Sequence, residues 1–138
     1  MKKQKSNSQL EKITDKYFSY YIRLREADSN GMVACVTCGK RLHWKEADCG
    51  HFRTRNKKIH RFNPKNCHVQ CTHCNQFLKG EQYKHGLYID KKYGQGFAEF
   101  LTSTEQQICK RTRIDFEQLT IEFKLKAKEQ ADRIGIKL

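Results

Sequence analysis

Residues 47–80 read ADCGHFRTRNKKIHRFNPKNCHVQCTHCNQFLKG, and this stretch decides the fold. Near its end stands Cys71-Thr72-His73-Cys74, and a matching pair, Cys35-Val36-Thr37-Cys38, lies upstream. A C-x2-C turn presents two sulfurs to one ion, and zinc takes four soft ligands in a tetrahedron. Cys35, Cys38, Cys71 and Cys74 are therefore the expected ligands of a structural Zn2+, with no open position for chemistry. Cys67, His68 and His73 stand near enough to substitute for one of them. The chain has seven cysteines, an odd number, which argues against a fully paired disulfide framework. The spacer between the pairs is 32 residues, longer than the ~15–20 of a simple zinc ribbon. The metal then clasps the ends of an inserted element, and the insert is where function is to be sought.

Inside the clasp, His51 falls at the end of an expected strand, Cys49 to Phe52. Asn66 follows in a loop marked by Asn63-Pro64, and Asn75 opens an expected helix directly after the last cysteine of the pair. From Cys49 to Gly80 there is no Asp or Glu, against seven Lys or Arg. The nearest acid to His51 on its N-terminal side is Asp48. Strand alternation puts Asp48 and His51 on opposite faces, unless the chain bends at Gly50.

Outward from the clasp the chain reads as helix. Leu10, Ile13, Tyr17, Tyr20, Tyr21 and Leu24 recur at three- and four-residue steps, which predicts a helix over 8–27. Ser8 with Glu11 reads as its capping box, and Ser29-Asn30-Gly31 as its stop. Met32 to Val36 and Leu42 to Glu46 read as strands. Beyond Gly80, helices are expected over Glu81 to Tyr93, around Phe97 to Leu101, and from a Thr112/Asp115 cap to about residue 134. The expected class is α+β: an N-terminal helix (1–30), a zinc-stabilised core (31–93) and a C-terminal helical extension (94–138).

The 138 residues are 37% hydrophobic, with a mean hydropathy of −0.90 and a net charge of +13. No apolar run approaches the roughly 18 residues of a membrane span. The basic start lacks the apolar stretch of a secretory signal. A membrane protein, a secreted disulfide scaffold and a Rossmann-type enzyme are poorly supported. A cytoplasmic protein that meets a polyanion fits best.

The order of histidine, loop asparagine, helix asparagine and closing C-x2-C resembles an HNH endonuclease of the ββα-metal fold, in a zinc-clasped, four-cysteine form. The stretch D-x-G-H-F, then R-F-N-x-x-N-x-H-x-Q-C-x-x-C-N and a following Gly, is similar to the phage NinG/Rap recombination endonucleases. The helix leading into C-V-T-C-G-K and the helical tail fit as well. The resemblance implies His51 as general base, and a neutral imidazole suits that task near pH 7. It implies Asn75 as a ligand of Mg2+ or Mn2+, with Asp48 as the second oxygen donor. It implies that Asn66 fixes the loop and orients the histidine through a backbone carbonyl. Arg53, Arg55, Lys57, Lys58 and Arg61, with His68, are then expected to meet DNA phosphates, which give affinity without sequence information.

One departure stands out. Many HNH enzymes carry Asp immediately before the histidine, where this chain has Gly50. The implied substrates are branched DNA, Holliday junctions or D-loops, in the cytoplasm of a phage's host. A homodimer through the terminal helices would suit paired cuts. The alternatives are a less selective nicking or restriction-like nuclease, and a zinc-stabilised DNA-binding module with a degenerate site.

Overall fold

A computed structural model describes residues 3–138. The architecture is α+β: helices around two small antiparallel ribbons. Helix α1 spans Asn7–Leu24, and its capping box is Ser6 with Gln9. That is two residues earlier than the Ser8/Glu11 box expected, and Glu11 instead pairs with Lys58. The helix ends at Leu24, three residues short of the expected 27, and Arg133 Nη2 reaches across to the Leu24 and Ala27 carbonyls. Carbonyls orphaned at a helix end need such donors.

Strands β1 (Met32–Ala34) and β2 (Arg41–His43) pair antiparallel, Val33 opposite Leu42. The expected second strand is cut short, since Trp44–Glu46 forms a 3-10 turn that buries Trp44. Strands β3 (Asp48–His51) and β4 (Cys67–Gln70) form the second ribbon, with Cys49 opposite Val69 and His51 opposite Cys67. The chain then makes one π-type turn, His73–Phe77, rather than the full helix expected at Asn75. Lys79, Gly80 and Glu81 all take positive φ and redirect the backbone. Helices α2 (Gln82–Tyr93), α3 (Phe97–Thr104) and α4 (Arg113–Ile134) follow. The Thr112/Asp115 capping box of α4 is present as expected.

Three apolar clusters hold these parts together. Phe18 and Ile22 of α1 pack with Phe123 and Phe116 of α4, the Phe18 and Phe123 rings meeting edge to face at 4.9 Å. Burying a side chain of that size stabilises by about 1.5–3 kcal/mol. A second cluster joins Leu24, Trp44, Val69 and Ala131 to Cys35, Cys71 and Cys74. A third, Phe52 with Ile89 and Leu101, seats α2 and α3 beside β3. Among the described residues, no helix is long and apolar enough to cross a membrane.

Candidate active site

Cys35, Cys38, Cys71 and Cys74 converge, with every sulfur within 4.8 Å of the others. Cys38 Sγ and Cys71 Sγ are 3.7 Å apart, close to the ~3.8 Å edge of a tetrahedron with Zn–S bonds of about 2.3 Å. The Cys74 N–H points at Cys71 Sγ at 3.4 Å. Burial pushes the Cys74 thiol up to about 12, aided by the neighbouring sulfurs. Against burial, hydrogen bonds from Thr37 and neighbouring backbone N–H groups instead bring the Cys35 thiol down to about 6. Four sulfurs this close form a soft donor set, so the cluster could hold a metal such as zinc. Its inner side belongs to the apolar core, and the Val36 N–H ties its first loop to the Val69 carbonyl of β4.

Beside this cluster opens a cleft of about 690 Å³. Asp48, Cys49, His51, Asn75 and Gln76 line it, with Asp15, Phe18 and Arg23 of α1 opposite. Asp48 and Cys49 are neighbours and so point oppositely along β3, yet both reach the cleft. The cleft therefore follows the unpaired edge of β3. That is why Asp48 and His51 share it without a bend at Gly50.

Gly50 has a different role. Gln70, fully buried, lies diagonally across the ribbon, and its side chain fills the space where a Cβ at position 50 would go. Gln70 Nε2 donates to the Gly80 carbonyl at 2.9 Å and to Thr37 Oγ1 at 3.1 Å. This amide ties the Cys35–Cys38 loop to the left-handed turn after the π-turn.

His51 Nε2 lies 2.9 Å from the Arg61 carbonyl. A carbonyl only accepts, so Nε2 carries the proton and Nδ1 keeps its lone pair. Burial, foremost, holds the His51 pKa below its ordinary value. The ring is therefore neutral at neutral pH.

Asn66, fully buried, prepares that carbonyl. Its Oδ1 accepts the Arg53 N–H at 2.8 Å, and its Nδ2 donates to the Arg53 and His60 carbonyls at 3.0 and 3.1 Å. It staples the 53–60 loop shut one residue before Arg61. Arg61 is held in turn by both oxygens of Asp15, at 3.0 and 2.6 Å.

On the other side of the cleft, Asn75 Nδ2 donates to Asp48 Oδ2 at 3.0 Å, and Gln76 Nε2 to the same oxygen at 3.2 Å. Asp48 has no ion-pair partner among the described residues. A carboxylate and an amide oxygen without a cation are the hard donors that Mg2+ and Mn2+ accept.

The basic run is placed less simply. Arg55 lines the cleft. Arg53 pairs with Glu105 at 2.9 Å, Lys58 with Glu11 at 2.9 Å, and Arg61 with Asp15. Lys57 does not line the cleft. Acids from α1 and from the end of α3 thus reach four of the window's seven cations, Arg55 among them at 4.0 Å from Asp15. The other cations in the cleft wall are Arg23, Lys45 and Lys79, none of which belongs to the run between His51 and Asn66. His68 is closed off from the surface: it is 2% exposed, with Nδ1 2.9 Å from His85 Nε2 and Nε2 2.8 Å from the Tyr93 hydroxyl. Burial first, then nearby positive charge, takes its pKa down to about 2, so it cannot offer a cation to DNA.

A family profile described as "Bacteriophage Lambda NinG protein" matches residues 1–133. The chain is 29% identical over 105 residues to protein ninG of Escherichia phage lambda, covering 71% of this chain and 49% of the relative. It is 27% identical over 105 residues to protein ninG of Salmonella phage P22, covering 71% and 49%. For protein ninG of Escherichia phage 933W the identity is 26% over 111 residues, covering 75% and 55%. The chain spans about half the length of the curated relatives it matches. No solved structure matches it.

Proposed function

We propose a function from one premise: the chain belongs to the NinG family. On that premise it is a metal-dependent DNA endonuclease of the HNH type. It hydrolyses phosphodiesters in branched recombination intermediates, Holliday junctions or D-loops. The observation that carries the reading is the make-up of one cleft. It holds a neutral histidine fixed at one nitrogen by a carbonyl, a carboxylate-amide pair, and Arg23, Lys45, Arg55 and Lys79.

The four cysteines hold a structural Zn2+. Asp48 and Asn75 would hold Mg2+ or Mn2+, which when bound supplies positive charge to the phosphate and the leaving oxygen. His51 Nδ1 takes the proton from the attacking water, and Nε2–H stays on the Arg61 carbonyl throughout. A general base of this kind contributes about 10²–10⁴-fold. Asn66 is a positioning residue that acts through the Arg61 backbone. The four cleft cations seat the phosphates and favour shape over sequence, since they come from α1, two turns and a loop rather than from one helix face. Catalysis takes place in the host cytoplasm. A homodimer would place two clefts on one junction, across the exposed Ile114, Ile121 and Leu125 of α4.

A second reading, a DNA-binding module without activity, is favoured by Gly50. The acid many HNH enzymes carry at that position is missing, and Gln70 leaves it no room. The test compares wild type with His51→Ala on a labelled four-way junction and on linear duplex, with Mg2+ or Mn2+. Junction-selective cutting lost in the variant, with binding retained, supports the nuclease. Equal cutting of both substrates supports the less selective enzyme. Tight binding without cutting supports the module.

A further inference from the structure

Cys49 and Cys67 form with His51 a group separate from the four-cysteine cluster, and the proposed hydrolysis uses neither thiol. Cys49 and His51 stand two apart on β3 and so share a face, and Cys67 of β4 is directly opposite His51. Their ligand atoms all lie within 4.8 Å of one another. Both cysteines are free thiols. Cys67 is fully buried at the back, whereas Cys49 and His51 face the cleft.

The second observation is the state of the imidazole. A metal-ligating histidine donates its other ring N–H to a carbonyl or carboxylate, which fixes its tautomer and orientation. His51 already does so, through Nε2 to the Arg61 carbonyl, and Asn66 fixes the loop that supplies it. Guanidinium charge also stands by. Arg25 Nη2 donates to the Cys67 carbonyl at 2.6 Å, and its buried Nε has no partner.

We infer that Cys49, His51 and Cys67 are a second, thiophilic metal site, and that a Zn2+ or Cd2+ ion bound there switches the cleft off. Two thiolates and one imidazole select soft or borderline cations over Mg2+ and Mn2+. Binding releases the two thiol protons to solvent and uses the His51 Nδ1 lone pair. Three protein ligands leave the fourth position for water, on the cleft side. The lone pair that binds this ion is the one that would take the proton from water, so soft-metal binding and hydrolysis exclude each other. The inhibition rests on the nuclease reading; the metal site does not.

The test uses the full chain, kept reduced and loaded with one equivalent of Zn2+. Co2+ is added, and thiolate-to-cobalt charge-transfer absorption is followed while a chelating dye reports any displaced zinc. Wild type should take up a second ion with a thiolate band and without zinc release. Cys49→Ala should not, and Cys67→Ala should agree where it folds. Cys49 is only half buried, so its variant keeps the experiment decisive even if Cys67→Ala unfolds. In a parallel cutting assay with excess Mg2+, added Zn2+ should slow wild type by at least about 10²-fold, the low end of a general base's contribution. Cys49→Ala should resist that inhibition. No second ion in wild type, or equal uptake by Cys49→Ala, overturns the site. A second ion that depends on Cys49, in a protein that cuts nothing, keeps the site and rejects the nuclease reading. Zn2+ inhibition of equal size in wild type and Cys49→Ala overturns the switch.

Discussion

Gln70 fills the space above Gly50. Its amide lies where a side chain at position 50 would project and is held there by the Gly80 carbonyl and the Thr37 hydroxyl. This contact joins the Cys35–Cys38 loop, the β3–β4 ribbon and the left-handed turn at 79–81 that follows Asn75. Gly50→Ala should therefore destabilise the fold by about 1–3 kcal/mol, the cost of overpacking. The pair should also couple: Gly50→Ala with Gln70→Ala should lose less than the sum of the two by about 1 kcal/mol. Urea denaturation of the four proteins measures both. Strict additivity would contradict the contact.

Cys71→Ser should lose the metal and the cooperative fold together, because Cys35, Cys71 and Cys74 belong to the same core cluster as Leu24 and Trp44. Metal content and a thermal melt on one sample decide it. A metal-free variant that melts like wild type would refute a structural role.

Stability should fall in mild acid. Burial above all takes His68 down to about 2 and His85 to about 4. An unfolded histidine binds its proton at about pH 6.5. Below that pH the unfolded chain gains protons that the folded chain refuses. The contribution is thus complete above about 6.5 and is lost as pH falls towards 4, by up to about 1.4 kcal/mol per pH unit for each histidine. The urea midpoint from pH 7 to 4.5 reads this directly. His85→Leu should lessen the slope, and a midpoint that rises on acidification would contradict it.

DNA binding should depend on the cations that face the cleft rather than on those already paired. Lys45→Ala and Lys79→Ala should each lower the salt-dependence slope of junction affinity by about 1. Lys58→Ala should change it little, since Lys58 sits on Glu11. Affinity titrations across a salt series separate the two groups. A larger effect at Lys58 would move the DNA path to the other side of the loop.

Much of this was legible in residues 35–80. Cys35, Cys38, Cys71 and Cys74 declare their convergence by spacing alone, because a C-x2-C turn has one geometry. The apolar periodicity of Phe116, Phe123 and Ala127 likewise gives α4 to within a residue or two. What the pattern hid is long-range pairing. The basic run looked free because its acids, Glu11, Asp15 and Glu105, lie far away in sequence. His68 looked like a surface cation because nothing local shows that His85 and Tyr93 close over it. The helix expected at Asn75 is one turn, because three left-handed residues at 79–81 follow it and only one is glycine. Gly50 read as a missing acid, whereas its neighbour across the ribbon gives it a steric reason.

The most direct measurement is a single-turnover time course on a labelled four-way junction, from pH 5.5 to 8, with zinc-loaded wild type and His51→Ala. Each runs with Mg2+, with Mn2+, and with EDTA at a dose that spares the four-cysteine metal. Wild type should cut only with added cation. The acid limb of its rate should lie below the ordinary histidine value, because burial lowers the His51 pKa. His51→Ala should be slower by about 10²–10⁴-fold and lose that limb while binding the junction as tightly. A His51→Ala protein that cuts at the wild-type rate with the same pH profile would contradict the account, as would wild-type cutting indifferent to the added cation.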